Sequence, residues 1–218
     1  MKKVLLVAVA VVLLIAGFAL ATFAVKSQEA KEAENRVAQR ESMLVREHSP
    51  RLGSVDAEVT IVEFFDPACE TCRAFHPIVK GMMRDHPGKI SLVMRHMPLH
   101  AGSDEVVKIL EAARLQGKYW ESLEAAYSNQ QRWAINHRAH ADLFWQAVAP
   151  VGLDPEQVSL DMRSAAVAEN VRLDIADGQA LGVDKTPGFF VNGRPLVVFG
   201  ERQLRELVQS ELDRHGEP

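Results

Sequence analysis

Cysteine is scarce in this chain of 218 residues: there are two, Cys69 and Cys72, three positions apart. A ring that short removes little entropy from the unfolded chain, so the pair reads as chemistry and not as a structural staple. No second cysteine pair exists. A structural zinc site would need four ligands and would have to recruit histidines such as His76, His86, His96 or His100, each of which reads singly as a surface or capping residue. No histidine follows the second cysteine, where Arg73 stands, and this argues against haem attachment. An excess of basic residues is also missing: 25 Lys and Arg against 29 Asp and Glu leave a net charge of −4. With no basic stripe, broad electrostatic binding of nucleic acid is not expected. There is no internal repeat or low-complexity tract, and the seven methionines and nine phenylalanines are ordinary core material at this length.

The N-terminus has what the rest lacks, a long apolar run. Met1-Lys2-Lys3 is followed by uncharged residues from Val4 to Val25, close to the roughly 20 that a helix needs to cross a bilayer. Lys2 and Lys3 should stay cytoplasmic and place everything after Lys26 outside. Cleavage near Ala21, within Ala19-Leu20-Ala21, is the alternative, but an uncleaved signal anchor accounts better for the full length. Both readings put the domain in an oxidising compartment, here the periplasm of a bacterium, either anchored in the inner membrane through residues 4–25 or released from it. Residues 26–49 are charged and free of glycine and proline as far as Glu47, and predict a solvated helical stalk. Ser49-Pro50 ends it, because a residue before proline is pushed out of the helical region. The expected organisation is therefore an anchor at 1–25, a stalk at 26–49 and one domain at 50–218.

The domain opens on Val59-Thr60-Ile61-Val62-Glu63-Phe64-Phe65, β-branched and aromatic, which predicts a buried strand. Asp66-Pro67 stops it just before Cys69. A helix is expected from about Cys72 to Asp85, with Phe75, Ile78, Val79 and Met82 at helical spacing and Pro77 inside it. Ile90 to Met94 predicts a second buried strand. Residues 103–181 read almost wholly helical, with a helix start at Asp154-Pro155. Strand follows at Gly188–Val191, then the turn Asn192-Gly193 and a second run Leu196–Phe199; Asn-Gly between apolar runs is a strong hairpin signal. Gln203 to Leu212 closes the chain as a helix. The order describes an α/β, thioredoxin-like arrangement with a helical insertion.

A thiolate is the nucleophile of disulfide exchange, and a cysteine at a helix N-terminus is stabilised as the anion by unpaired N–H groups and the helix dipole. Cys69 is thus the expected exposed, attacking sulfur and Cys72 the buried, resolving one. Glu63 is a carboxylate in an apolar strand. It is either a buried proton acceptor for Cys72 or a solvated group at a strand edge. Thr186-Pro187 precedes the last strands and is either an ordinary turn or a cis peptide.

In register, Gly53, Ala57, Val59-Thr60-Ile61, Glu63-Phe64, Asp66-Pro67, Cys69-Glu70-Thr71-Cys72, Thr186-Pro187 and Phe189-Phe190-Val191-Asn192-Gly193 resemble the DsbA-like thioredoxin family, in its membrane-anchored or exported DsbA/DsbG-type branch, over about residues 50–214. The resemblance implies a cis Pro187 facing the dithiol, Thr186 contacting the backbone of a bound peptide, and Glu63 as the buried carboxylate beside the resolving cysteine. It also implies a thiol–disulfide oxidoreductase without a cofactor, acting on cysteine-containing extracytoplasmic proteins and recycled by a membrane redox partner. A metal (copper) chaperone is the alternative, disfavoured because those relatives resemble C-x-x-x-C; a substrate-binding chaperone is another. Strongly oxidising members carry a histidine between the cysteines, where this chain has Glu70-Thr71. A carboxylate at Glu70 is expected to raise the Cys69 pKa relative to those members, giving a less oxidising couple.

Overall fold

The computed structural model describes residues 39–216 together with Gln28 and Lys31. The chain divides into two units, residues 1–42 and 43–218, and the account below concerns the second. The expected membrane segment at 4–25 and most of the expected stalk lie outside the described residues. Among the described residues, no helix is long and apolar enough to cross a membrane.

Among the described residues, five strands form one sheet. In chain order they are β1 (Arg51–Leu52), β2 (Val59–Phe65), β3 (Ile90–His96), β6 (Gly188–Val191) and β7 (Arg194–Pro195), and in space the order is β1-β3-β2-β6-β7. Strand β2 is central because its residues suit a position buried on both faces. Val59, Ile61 and Phe65 enter the larger core, while Val62 and Phe64 enter a smaller one with Val93, Met97 and Phe190 on the opposite face. It runs parallel to β3, from Val59↔Ile90 to Phe65↔His96, and antiparallel to β6, from Ile61↔Val191 to Phe64↔Gly188. A parallel pair requires a crossover, supplied by helix α1 (Glu70–Asp85), which runs unbroken past Pro77. Helix α8 (Glu201–Gly216) closes the chain.

Between β3 and β6 lie α2 (Ser103–Leu115), α3 (Tyr119–Ser128), α4 (Gln130–Trp133), α5 (Ala141–Val148), α6 (Pro155–Asp161) and α7 (Ala165–Ala180). Asp154 caps α6 as its sequence predicts, accepting from the N–H groups of Glu156 and Gln157 at 2.9 and 3.2 Å. The insertion is not purely helical, however. Ala134–Ile135 (β4) and Arg138–Ala139 (β5) pair as a small hairpin. Its two turn residues, Asn136 and His137, take φ values of 51° and 58°, the left-handed pair that a two-residue hairpin favours.

Two further expectations need correction. After the Asn192-Gly193 turn, strand β7 is only Arg194–Pro195, and Val197, Val198 and Phe199 are exposed in a loop. Pro195 offers no N–H to continue a ladder, and it stands on the sheet edge, where proline is tolerated. The compact unit also begins before Pro50. Leu44 is buried in the smaller core, the Arg46 guanidinium grips both Asp177 oxygens at 2.7 and 2.8 Å, and His48 Nε2 meets Asp174 Oδ1 at 2.8 Å.

Those two acids belong to a buried ionic cluster. Arg95, fully buried on β3, donates to Asp174 at 2.7 Å and Asp177 at 2.6 Å, and also to the Met43 carbonyl. His96, which the sequence reads as a surface or capping residue, is fully buried between Asp174 (Nδ1, 3.1 Å) and the Tyr119 hydroxyl (Nε2, 3.1 Å). Burial would push Asp174 up, yet hydrogen bonds to His48 and His96 and the Arg95 charge hold it well below the usual carboxylate range.

Candidate redox site

The loop from β2 to α1 is held from beneath by Asp66, a fully buried carboxylate. It accepts from the N–H of Ala68 (2.8 Å), from the N–H groups of Leu99 and His100 (2.7 Å each), and from the Ser103 hydroxyl (2.7 Å). This ties the loop to the segment that follows β3. The backbone N–H of Cys69 donates to the Asp66 carbonyl at 3.0 Å, and Cys69 becomes the N-cap of α1, extended at φ −74°, ψ 119°. Gln130, from the helical insertion, clamps the same loop. Its Nε2 donates to the carbonyls of Pro67 (2.8 Å) and Cys69 (3.1 Å), and its Oε1 accepts from Arg73 (2.8 Å). Nothing in the sequence singles out Gln130, whose partners lie some sixty positions away.

Both cysteines are free thiols. Cys69 is 7% exposed and Cys72 0%, so the attacking cysteine is not exposed as expected but is the one of the pair that keeps any exposed surface. The Cys72 N–H points at Cys69 Sγ, 3.4 Å away. The thiol of Cys69 faces the Thr186 carbonyl at 3.4 Å, and the Thr186–Pro187 peptide is cis. The structure therefore brings Cys69, Cys72, Thr186 and Pro187 together.

Glu63 lies beneath them, fully buried on the central strand, with no partner for either carboxylate oxygen among the described residues. The strand-edge alternative fails: its neighbours across the sheet are Met94 and Phe189. Burial, followed by the nearby Cys69 charge, pushes its carboxyl well above the usual value.

The two thiols are driven apart. A hydrogen bond from the Cys72 thiol is the largest influence on Cys69; burial opposes it, the Cys72 N–H and Thr186 assist, and the result is a pKa pulled down to about 5. Burial, then Cys69 and Glu63, pushes Cys72 well up. Glu70 is exposed in the first turn of α1 and is not among the leading influences on Cys69. Solvent screens its charge, so the expected upward pull from Glu70 does not dominate. A dithiol with one thiol ionised and one protonated at neutral pH can attack a disulfide at one sulfur and resolve the adduct with the other. Among the described residues, no three His, Cys, Asp or Glu side chains are grouped to hold a metal ion.

A family model described as thioredoxin matches residues 46–210. The chain is similar in structure to a thioredoxin-like oxidoreductase from Silicibacter pomeroyi DSS-3, with 32% identity, a TM-score of 0.68, and coverage of 82% of this chain and 98% of that one. It shares its fold with BdbD of Bacillus subtilis at 22% identity and a TM-score of 0.67, covering 76% and 94%. It is also 32% identical over 144 residues to the Na(+)/H(+) antiporter NhaA of Herminiimonas arsenicoxydans, covering 66% of this chain; the match spans only 22% of that relative's length.

Proposed function

The chain belongs to the thioredoxin family, and on that premise we propose that it is a thiol–disulfide oxidoreductase exchanging disulfides with cysteine-containing proteins outside the cytoplasmic membrane. The single observation that carries this reading is the placement of Cys69. It caps α1, is drawn down to about pKa 5, and keeps a surface beside the Thr186 carbonyl while Cys72 stays buried and protonated.

In the reducing direction, the Cys69 thiolate attacks one sulfur of a substrate disulfide and the other substrate sulfur leaves as thiolate. Glu63, protonated by burial in the reduced fold, passes its own proton outward and takes that of Cys72 in its place, and Cys72 attacks Cys69 Sγ. The Cys69–Cys72 bond forms, the mixed disulfide breaks and the second substrate thiolate departs; the substrate gains two electrons and the dithiol loses them. The oxidising direction is the reverse, with Glu63 returning the proton to Cys72. Thr186 offers its backbone to the substrate peptide beside Pro187. Val197, Val198 and Phe199 form an exposed apolar loop that meets α1 where the ring of Phe199 packs, tilted, on Phe75, 4.8 Å between centroids; such a surface suits a polypeptide substrate. Residues 4–25 anchor the domain in the inner membrane, where a membrane redox partner recycles the couple.

A Cys72→Ser variant incubated with a disulfide-bearing polypeptide should accumulate a mixed disulfide at Cys69, identified by mass spectrometry of the non-reduced adduct. The absence of an adduct, or an equal yield from Cys69→Ser, overturns the reading.

A further inference from the structure

Glu63 is sealed from solvent, so a proton it receives from Cys72 needs a way out, and the sheet offers none: its cross-strand neighbours Met94 and Phe189 are apolar. On the same side of the sheet, three more buried polar atoms lack a partner among the described residues: Ser122 Oγ, Tyr127 OH and His76 Nδ1. Groups this deeply buried are ordinarily hydrogen-bonded, to protein or to internal water. Tyr127 lies within electrostatic reach of Cys72 and Glu63, whose charges add to burial in holding its phenol protonated. Its ring packs on His76, 5.2 Å between centroids. Ser122 and Tyr119 share the buried face of α3 with Tyr127.

His76 follows Cys72 by one helical turn, on the same face of α1. Its Nδ1 is buried, whereas its Nε2 lies 2.9 Å from Glu124, a half-exposed carboxylate that Lys80 also contacts. An imidazole with one nitrogen in the interior and the other on a surface carboxylate can take a proton at one and release it from the other.

We propose that His76 is the outer end of a proton path joining Cys72 and Glu63 to solvent at Glu124, by way of the Tyr127 and Ser122 hydroxyls and internal water. It rests on the disulfide-exchange reading above. Glu63 passes its own proton outward and takes that of the Cys72 thiol in its place. As the Glu63 proton moves outward, the Tyr127 hydroxyl accepts one and donates its own, His76 gains a proton at Nδ1, and the Nε2 proton leaves through Glu124. One proton has passed from Cys72 to solvent. The opposite half of the redox cycle returns a proton to Cys72 along the same groups and restores the starting tautomer of His76. Neither ring nitrogen of His76 hydrogen-bonds a sulfur, Nδ1 being without a partner among the described residues and Nε2 meeting Glu124, so it acts through Glu63.

The test is the rate at which a mixed disulfide, preformed at Cys69, closes to the Cys69–Cys72 bond. His76→Ala and Tyr127→Phe should each slow closure by about tenfold or more, the lower end of general acid–base contributions, and should shift its pH profile. The titration of Cys69 should be unchanged, and added imidazole should restore much of the lost rate in His76→Ala. A protein that forms the mixed disulfide normally and closes it at the wild-type rate in both variants overturns the path and leaves the exchange reading standing. Slowing in His76→Ala that imidazole does not relieve, with Tyr127→Phe closing normally, also overturns it. A wild-type chain that forms no mixed disulfide overturns both.

Discussion

Glu63 and Cys69 should pull the pH dependence of stability in opposite directions, and replacing one should unmask the other. The carboxyl of Glu63 is raised in the fold above its ordinary value of 4.5. Above that value the unfolded chain has released the proton while the folded chain keeps it, so stability falls by about 1.4 kcal/mol per pH unit until the folded group ionises. Cys69 has the opposite sign. Its folded value of about 5 lies below its ordinary value of 9.0, so within that window the folded chain has lost the proton first and stability rises by about 1.4 kcal/mol per unit. The gain is complete only above the unfolded value and vanishes below the folded one; partial solvation of the sulfur narrows the window. In the reduced wild-type protein these two slopes offset each other. Glu63→Gln keeps the side-chain shape and removes the falling limb, so its stability should climb relative to wild type by about 1.4 kcal/mol per pH unit above pH 4.5, until the folded carboxyl ionises. Groups that do not interact with Glu63 contribute equally to both proteins and cancel in the difference. Urea unfolding under reducing conditions, extrapolated to water at a series of pH values, measures it. Parallel curves for wild type and Glu63→Gln would refute the claim that Glu63 is held protonated by burial.

Two other perturbations follow from the same contacts. Because the Cys72 thiol is the leading influence on Cys69, Cys72→Ala should move the Cys69 titration, followed by thiolate ultraviolet absorbance, up from about 5 towards 9.0; Cys72→Ser, which retains a donor, should move it less. Arg95→Met should destabilise the domain by about 3–5 kcal/mol, the range for removing one partner of a buried pair. It removes the buried cation that Asp174 and Asp177 share, leaving them to His48, His96 and Arg46, and releases the Met43 carbonyl, and thermal or urea unfolding measures the loss.

What could be read from the sequence was whatever local chemistry determines. The run Val59–Phe65 is strand-forming and doubly buried, and an interruption by Asp66-Pro67 just before Cys69 leaves the cysteine at a helix start. The Asn192-Gly193 turn likewise comes from backbone freedom, and Asn192 takes φ 45°. The failures involve residues whose environment is built by distant segments. Arg95 and His96 look like the polar end of a strand, but Asp174 and Asp177 reach them from α7 and bury them. Arg46 and His48 look like a solvated stalk for the same reason, since their acid partners are more than 120 positions away. Val197, Val198 and Phe199 have strand composition yet stand exposed beyond Pro195. Gln130, which clamps the dithiol loop, carries no local mark at all.

The reduction potential of the Cys69–Cys72 couple, measured by equilibration with glutathione, tests the central claim most directly. A Cys69 pKa of about 5 lies between those of a strongly oxidising and a reducing CxxC protein, roughly 3.5 and 7, so the account predicts a potential between about −120 and −270 mV. A value below about −300 mV, the range of disulfides that merely brace a fold, would contradict it.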